Sequence, residues 1–96
     1  MIKHVVCFKL IDNSEKQKLL AKEILLSMIG NVDSFVNIEV GTDFLASARS
    51  YDICLTTTHN SKEDLQAYQF NPYHKNVVKP YMHAHVIASV SVDYEI

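Results

Sequence analysis

Apolar and polar residues alternate from Ile2 to Leu10, the signature of a strand with one covered face. Ile2, His4, Val6, Phe8 and Leu10 share one face, and Lys3, Val5, Cys7 and Lys9 share the other. The period then lengthens. Leu20, Ile24 and Met28, flanked by Ala21 and Leu25, recur at helical spacing and predict a helix with one buried stripe. Asn13 or Ser14 is its expected cap, Glu15 sits where the helix dipole favours a carboxylate, and Gly30 closes it. Alternation returns over 34–43, with Val36, Ile38 and Val40 against Asn37 and Glu39, and Gly41-Thr42-Asp43 as the exit. Past the polar loop Ala46–Ser50, residues 51–58 predict a third strand. There Tyr51, Ile53 and Leu55 oppose Asp52, Cys54 and Thr56, and three successive threonines favour a strand over a helix.

Ser61 and Asp64 have capping-box spacing and predict a short helix that turns Leu65 and Tyr68 inward. Asn71-Pro72 restarts it, with Asn as cap and Pro at the first helical position, where no backbone donor is lost. His74, Val78 and Tyr81 follow at i, i+4 and i+7 along one side, and Pro80 is expected to end or kink the helix near Lys79. A last strand spans 86–96. The order is β-α-β-β-α-β in a single domain over 1–96, the ferredoxin-like α+β arrangement with both helices on one face of an antiparallel sheet. The opposite face carries Val, Cys, Thr and Ser rather than a run of charges. A second copy of the chain is its simplest cover, which predicts a homodimer.

Composition narrows the partners. Nine Lys+Arg against eleven Asp+Glu leave a formal charge of −2, so nothing in the balance suits a phosphate backbone and nucleic acid is not an expected partner. The apolar stretch at the N-terminus is short and broken by Lys9, unlike a signal-peptide core, and no apolar run reaches the ~20 residues of a membrane span. A cytoplasmic protein without membrane attachment is the expectation. Cys7 and Cys54 stand singly in strand-like runs and read as buried free thiols.

Five stretches together resemble the stress-responsive A/B barrel (Dabb) family over essentially the whole chain. They are Met1–Val6, Ser50-Tyr51-Asp52, Glu63–Tyr68, Asn71-Pro72-Tyr73-His74 and Val92–Glu95. The resemblance implies a homodimer, the dimeric α+β barrel, in which two four-stranded sheets close into a barrel with the helices outside. In one plant relative, olivetolic acid cyclase, a linear polyketide thioester is folded and condensed without any cofactor. The resemblance carries that enzyme's His–Tyr pair onto His74 and Tyr68 and its strand-one His onto His4. Its strand-three His falls on Ile53, which makes the implied pocket more apolar and weakens the case for the same activity. Phe8, Ile53 and Val78 are then expected to line a ligand pocket, with Tyr81 at its rim.

Each candidate also has a structural reading. His74 stands at a helix head, where the dipole favours the neutral imidazole that proton abstraction beside a carbonyl requires, or its ring simply packs the helix start. Tyr68 could donate to a developing enolate oxygen, or be a core tyrosine with a satisfied hydroxyl. His4, on an apolar strand face, must find a partner, which could be Tyr68, His74, a ligand or the core. His83 and His85 would point the same way on a strand, but two ligands do not make a zinc site, and no metal is expected. Lys75 and Lys79 read as a solvated face. Three function classes follow: a binding or stress-response protein without turnover, a cofactor-free cyclase or lyase, and a cofactor-free monooxygenase of another dimeric barrel type.

Overall fold

The structure is a computed structural model of Met1–Ile96. Four strands, β1 (Ile2–Leu10), β2 (Asn37–Thr42), β3 (Ile53–His59) and β4 (Val86–Glu95), form one antiparallel sheet in the order β2-β3-β1-β4. Helices α1 (Glu15–Leu26) and α2 (Lys62–Phe70) cover one face, joined there by α3 (Lys79–His85). This is the ferredoxin-like order expected from the pattern. The register sets each side chain's face, because paired residues lie on the same side. His4 pairs with Thr57 and Asp93, and Phe8 with Ile53 and Ser89, on the helix side. Val5 pairs with Thr56 and Val92, and Cys7 with Cys54 and Val90, on the open side.

The caps form where the side chains predict them. The Ser14 hydroxyl accepts from Gln17 N–H, and the Ser61 hydroxyl accepts from Asp64 N–H. The buried stripe of α1 is shifted, however. Ala21, Leu25 and Met28 are buried together with Lys18, whereas Leu20 faces outward. The Lys18 stem crosses the core edge and its Nζ donates to the Asp43 carbonyl at 3.1 Å, which makes burial of that long side chain tolerable. Gly30 has φ 85°, the left-handed conformation that ends the turn after α1. Strand β2 begins at Asn37 rather than 34, and β3 at Ile53 rather than 51. The Asp52 carboxylate accepts from Leu10 N–H at 2.7 Å, in a position that a strand partner would otherwise hold.

The largest departure is after Asn71. Pro80 neither ends nor breaks the helix. Residues His74–Val78 form a π-helical turn in which Lys79 N–H donates to the His74 carbonyl, five residues back. That wide turn resets the register, so Pro80, which has no N–H to donate, falls in the first turn of α3. The helix therefore runs on to His85, and His83 and His85 lie on a helix rather than a strand, turned about 200° apart. A bulge between Lys9 and Leu10 then lets Val86 pair with Leu10. No helix is long and apolar enough to cross a membrane.

Candidate functional site

Between the sheet and the segment from Tyr68 to His83 lies a cavity of about 210 Å³. His4, Val6 and Phe8 of β1 form its floor, Tyr68 and His74 one wall, and Val78 and Met82 another. Tyr68 is the hub. It is 1 % exposed, and three histidine rings surround it: His74 with centroids 4.5 Å apart, His59 at 5.3 Å and His4 at 5.8 Å.

The approach of Tyr68 and His74 needs the break between them. Six residues of continuous helix would turn through about 600° and leave them on different sides. Asn71 instead takes φ −59°, ψ 132°, which ends α2. Its side-chain oxygen accepts from Tyr73 N–H at 2.9 Å and His74 N–H at 3.3 Å, starting a new helical piece at a new angle.

The three histidines differ in what holds them. The Asp93 carboxylate, reaching across from β4, accepts from His4 Nδ1–H, so the Nε2 of His4 is left for other partners. His59 is locked at both nitrogens. The Ser34 carbonyl can only accept, so Nδ1 carries the proton at 2.7 Å and Nε2 accepts the Thr57 hydroxyl at 2.9 Å. His74 has a buried Nδ1 with no partner in the protein, and the Tyr68 hydroxyl is likewise buried and unpaired. Burial lowers the basicity of His74, a nearby Gln69 carbonyl opposes this, and the charges of Lys79 and His4 add to the lowering. Burial pushes the Tyr68 phenol well above its ordinary range. A neutral imidazole therefore faces a neutral phenol.

Of the residues singled out in the sequence, His4, Tyr68, His74, Phe8 and Val78 line this one cavity. Ile53 and Tyr81 do not. Ile53 is packed in the core at 2 % exposure. Tyr81 is carried off the cavity by the extra residue of the π turn and stacks on His85, with centroids 4.2 Å apart. The His85 Nδ1–H donates to the Tyr81 carbonyl, and no three His, Cys, Asp or Glu side chains anywhere converge as a metal site. Sequence reasoning missed His59 and Asp93. His59 closes a strand whose alternation already placed Ile53, Leu55 and Thr57 inward, so parity alone could have found it. Asp93 needed the β1–β4 register.

The chain matches known proteins at two levels, sequence and fold. The sequence profile of a domain described as "Stress responsive A/B Barrel Domain" matches residues 2–96. A stress-response A/B barrel domain-containing protein of Arabidopsis thaliana is 30 % identical over 80 residues, 82 % of this chain. The match spans 30 % of that longer relative. Among solved structures, a dimeric Bacteroides fragilis protein of ferredoxin-like fold superposes with a TM-score of 0.81 at 23 % identity, covering 99 % of this chain and 95 % of that one. A hydroxynitrile lyase from Passiflora edulis superposes with a TM-score of 0.76 at 16 % identity, covering 99 % and 92 %. At these identities the two structures speak to the fold alone.

Proposed function

Because the chain belongs to the stress-responsive A/B barrel family, we propose that it is a cytoplasmic homodimer that binds a small carbonyl compound in the Tyr68–His74 cavity and moves a proton on it without a cofactor. The observation that carries this reading is the pair of buried, unpartnered polar atoms, Tyr68 Oη and His74 Nδ1, on facing rings in one cavity. Buried polar groups are nearly always paired, so an unpaired hydroxyl and an unpaired ring nitrogen on neighbouring rings point to a ligand that pairs both. In the step proposed, His74 Nδ1 takes a proton from the carbon beside a carbonyl, and the Tyr68 hydroxyl donates to the oxygen as it becomes an enolate. The suppressed basicity of His74 keeps it unprotonated near neutral pH, and the raised phenol keeps Tyr68 a donor. His4, held by Asp93, offers Nε2 to a second oxygen of the ligand.

Cyclisation of the kind known for olivetolic acid cyclase begins with such a proton transfer, and cleavage of a hydroxynitrile begins with transfer of its hydroxyl proton to a base. The name of the Passiflora structure shows that this fold can carry base-assisted chemistry without implying the same step here. The dimer is supported by the open sheet face and by relatives described as dimeric. The test pairs a binding titration with a turnover assay on wild type, His74→Ala and Tyr68→Phe, using small 1,3-dicarbonyl compounds. Loss of the base lowers turnover by roughly 10²–10⁴-fold with the dimer intact, and Tyr68→Phe lowers turnover more than affinity. If ligands bind, none turns over, and His74→Ala changes affinity alone, the protein is a binding module and the catalytic reading falls.

A further inference from the structure

One feature of the cavity is not explained by proton transfer. Of its thirteen lining residues, Lys79 alone bears a fixed charge, and that charge is positive. The Asp93 carboxylate is occupied by His4 and is not part of the lining. Lys79, His83 and Ser89 are exposed while Leu25, Leu55, Val78 and Met82 are buried, so the first three mark the mouth and the others the apolar interior. Lys79 owes its place to the π turn. The i→i+5 bond from its N–H to the His74 carbonyl brings it back over His74, whereas five residues of ordinary helix turn through about 500° and would leave it well off that line. Wide turns of this kind recur at functional sites.

We propose that the ligand is an oxo acid whose carboxylate pairs with Lys79 at the mouth, whose carbonyl lies against Tyr68 and His74, and whose apolar end fills the space over Phe8 and Met82. The proposal rests on the pocket reading above and names its substrate class. Size agrees: at ~30 Å³ per water, the cavity of about 210 Å³ holds roughly seven waters, or one organic molecule of on the order of a dozen non-hydrogen atoms. His83, one helical turn beyond Lys79, adds a second nitrogen at the same rim. The arrangement also couples binding to chemistry. Lys79 lowers the basicity of His74, so a carboxylate that neutralises Lys79 makes His74 a stronger base once the acid is in place.

The experiment compares 4-oxo-4-phenylbutanoate with its neutral amide, by calorimetric titration and by NMR titration of the His74 ring, on wild type and Lys79→Met. Wild type is expected to prefer the acid by roughly fivefold, the scale of one exposed ion pair, and Lys79→Met to bind the two about equally. The acid, but not the amide, is expected to raise the pH at which His74 titrates in wild type, and this difference is expected to vanish in Lys79→Met. Equal binding of acid and amide by wild type, or a preference that survives in Lys79→Met, overturns the oxo-acid proposal and leaves the pocket reading standing. Binding of neither probe, with the His74 signal unmoved, overturns both.

Discussion

The two faces of this sheet are built from the same strands and nearly the same residue types, yet they do opposite things. Under the helices, apolar side chains enclose a few polar ones, His4, His59, Tyr68 and His74, each either firmly held or conspicuously unheld. On the open face the central rows run Glu39–Thr56–Val5–Val92 and Gly41–Cys54–Cys7–Val90, with the two cysteines side by side across the strands and half-buried rather than buried. Nothing of the chain covers the β4 side, where Val90 is 51 % and Val92 62 % exposed. On the proposed reading the contrast is a division of labour: the unpaired polar atoms of the covered face are there for a ligand, and the bare valines of the open face are there for a second copy.

The bluntest way to break that contrast is to put charge on the open face. Val90→Asp with Val92→Asp is expected to abolish the dimer, since interfaces of this kind are roughly 2,000 Å² or more and resemble a core cut in half. Light scattering would then read 10.9 kDa, the mass of one chain, instead of twice that. A dimer that survives both charges places the second copy elsewhere.

Within the covered face, the held and unheld groups should respond differently. His59→Ala strands the Ser34 carbonyl and the Thr57 hydroxyl and leaves a hole at a site with no exposure, a cost of about 2–4 kcal/mol visible in urea denaturation. Tyr68→Phe removes a hydroxyl that has no partner in the protein, so stability should hold or rise by up to ~1 kcal/mol while ligand affinity falls. A loss of stability in Tyr68→Phe comparable to that in His59→Ala would erase the distinction.

A subtler test is pH. Burial is the main cause that lowers the basicity of both His59 and His74, so below about 6.5 the unfolded chain takes up protons that the folded one refuses. Their contribution to stability is therefore complete above about 6.5 and is lost as pH falls from there toward the depressed folded values. Thermal melts between pH 7.5 and 5 should show this decline, and His74→Gln should flatten part of it.

Much of this was legible in the chain. Alternation gave the strands and their faces, small polar residues at Ser14, Ser61 and Asn71 gave the helix starts, and an outer face without a run of charges gave the expectation of a second copy. What could not be read has a common physical cause. Asp93 meets His4 across 89 residues, and only the register joins them. Local rules also assume an α-helical period after Asn71, and under that assumption Pro80 must break the helix and Tyr81 must follow Val78 toward the pocket. One wide turn changes both outcomes. Leu20 failed for a different reason: a lysine with a long apolar stem took the core edge that a leucine was expected to fill.

That wide turn also says where this chain can and cannot change length. It amounts to one residue inserted into an otherwise regular helix, and removing any single residue between His74 and Val78 would restore the ordinary period. Lys79 would then stand four residues after His74, in ordinary α-helical register, so Lys79, Met82 and His83 would keep their side of the helix. Pro80 would move from a first turn into a helix interior, where its ring meets a carbonyl four residues back at ~3 kcal/mol or more. Substitutions at exposed Lys75 or Asn76 leave all of this alone. Insertions in the loop at 46–50 should likewise pass unnoticed, whereas loss of one codon in this five-residue stretch should cost stability, through Pro80, while leaving Lys79 and Met82 over the pocket.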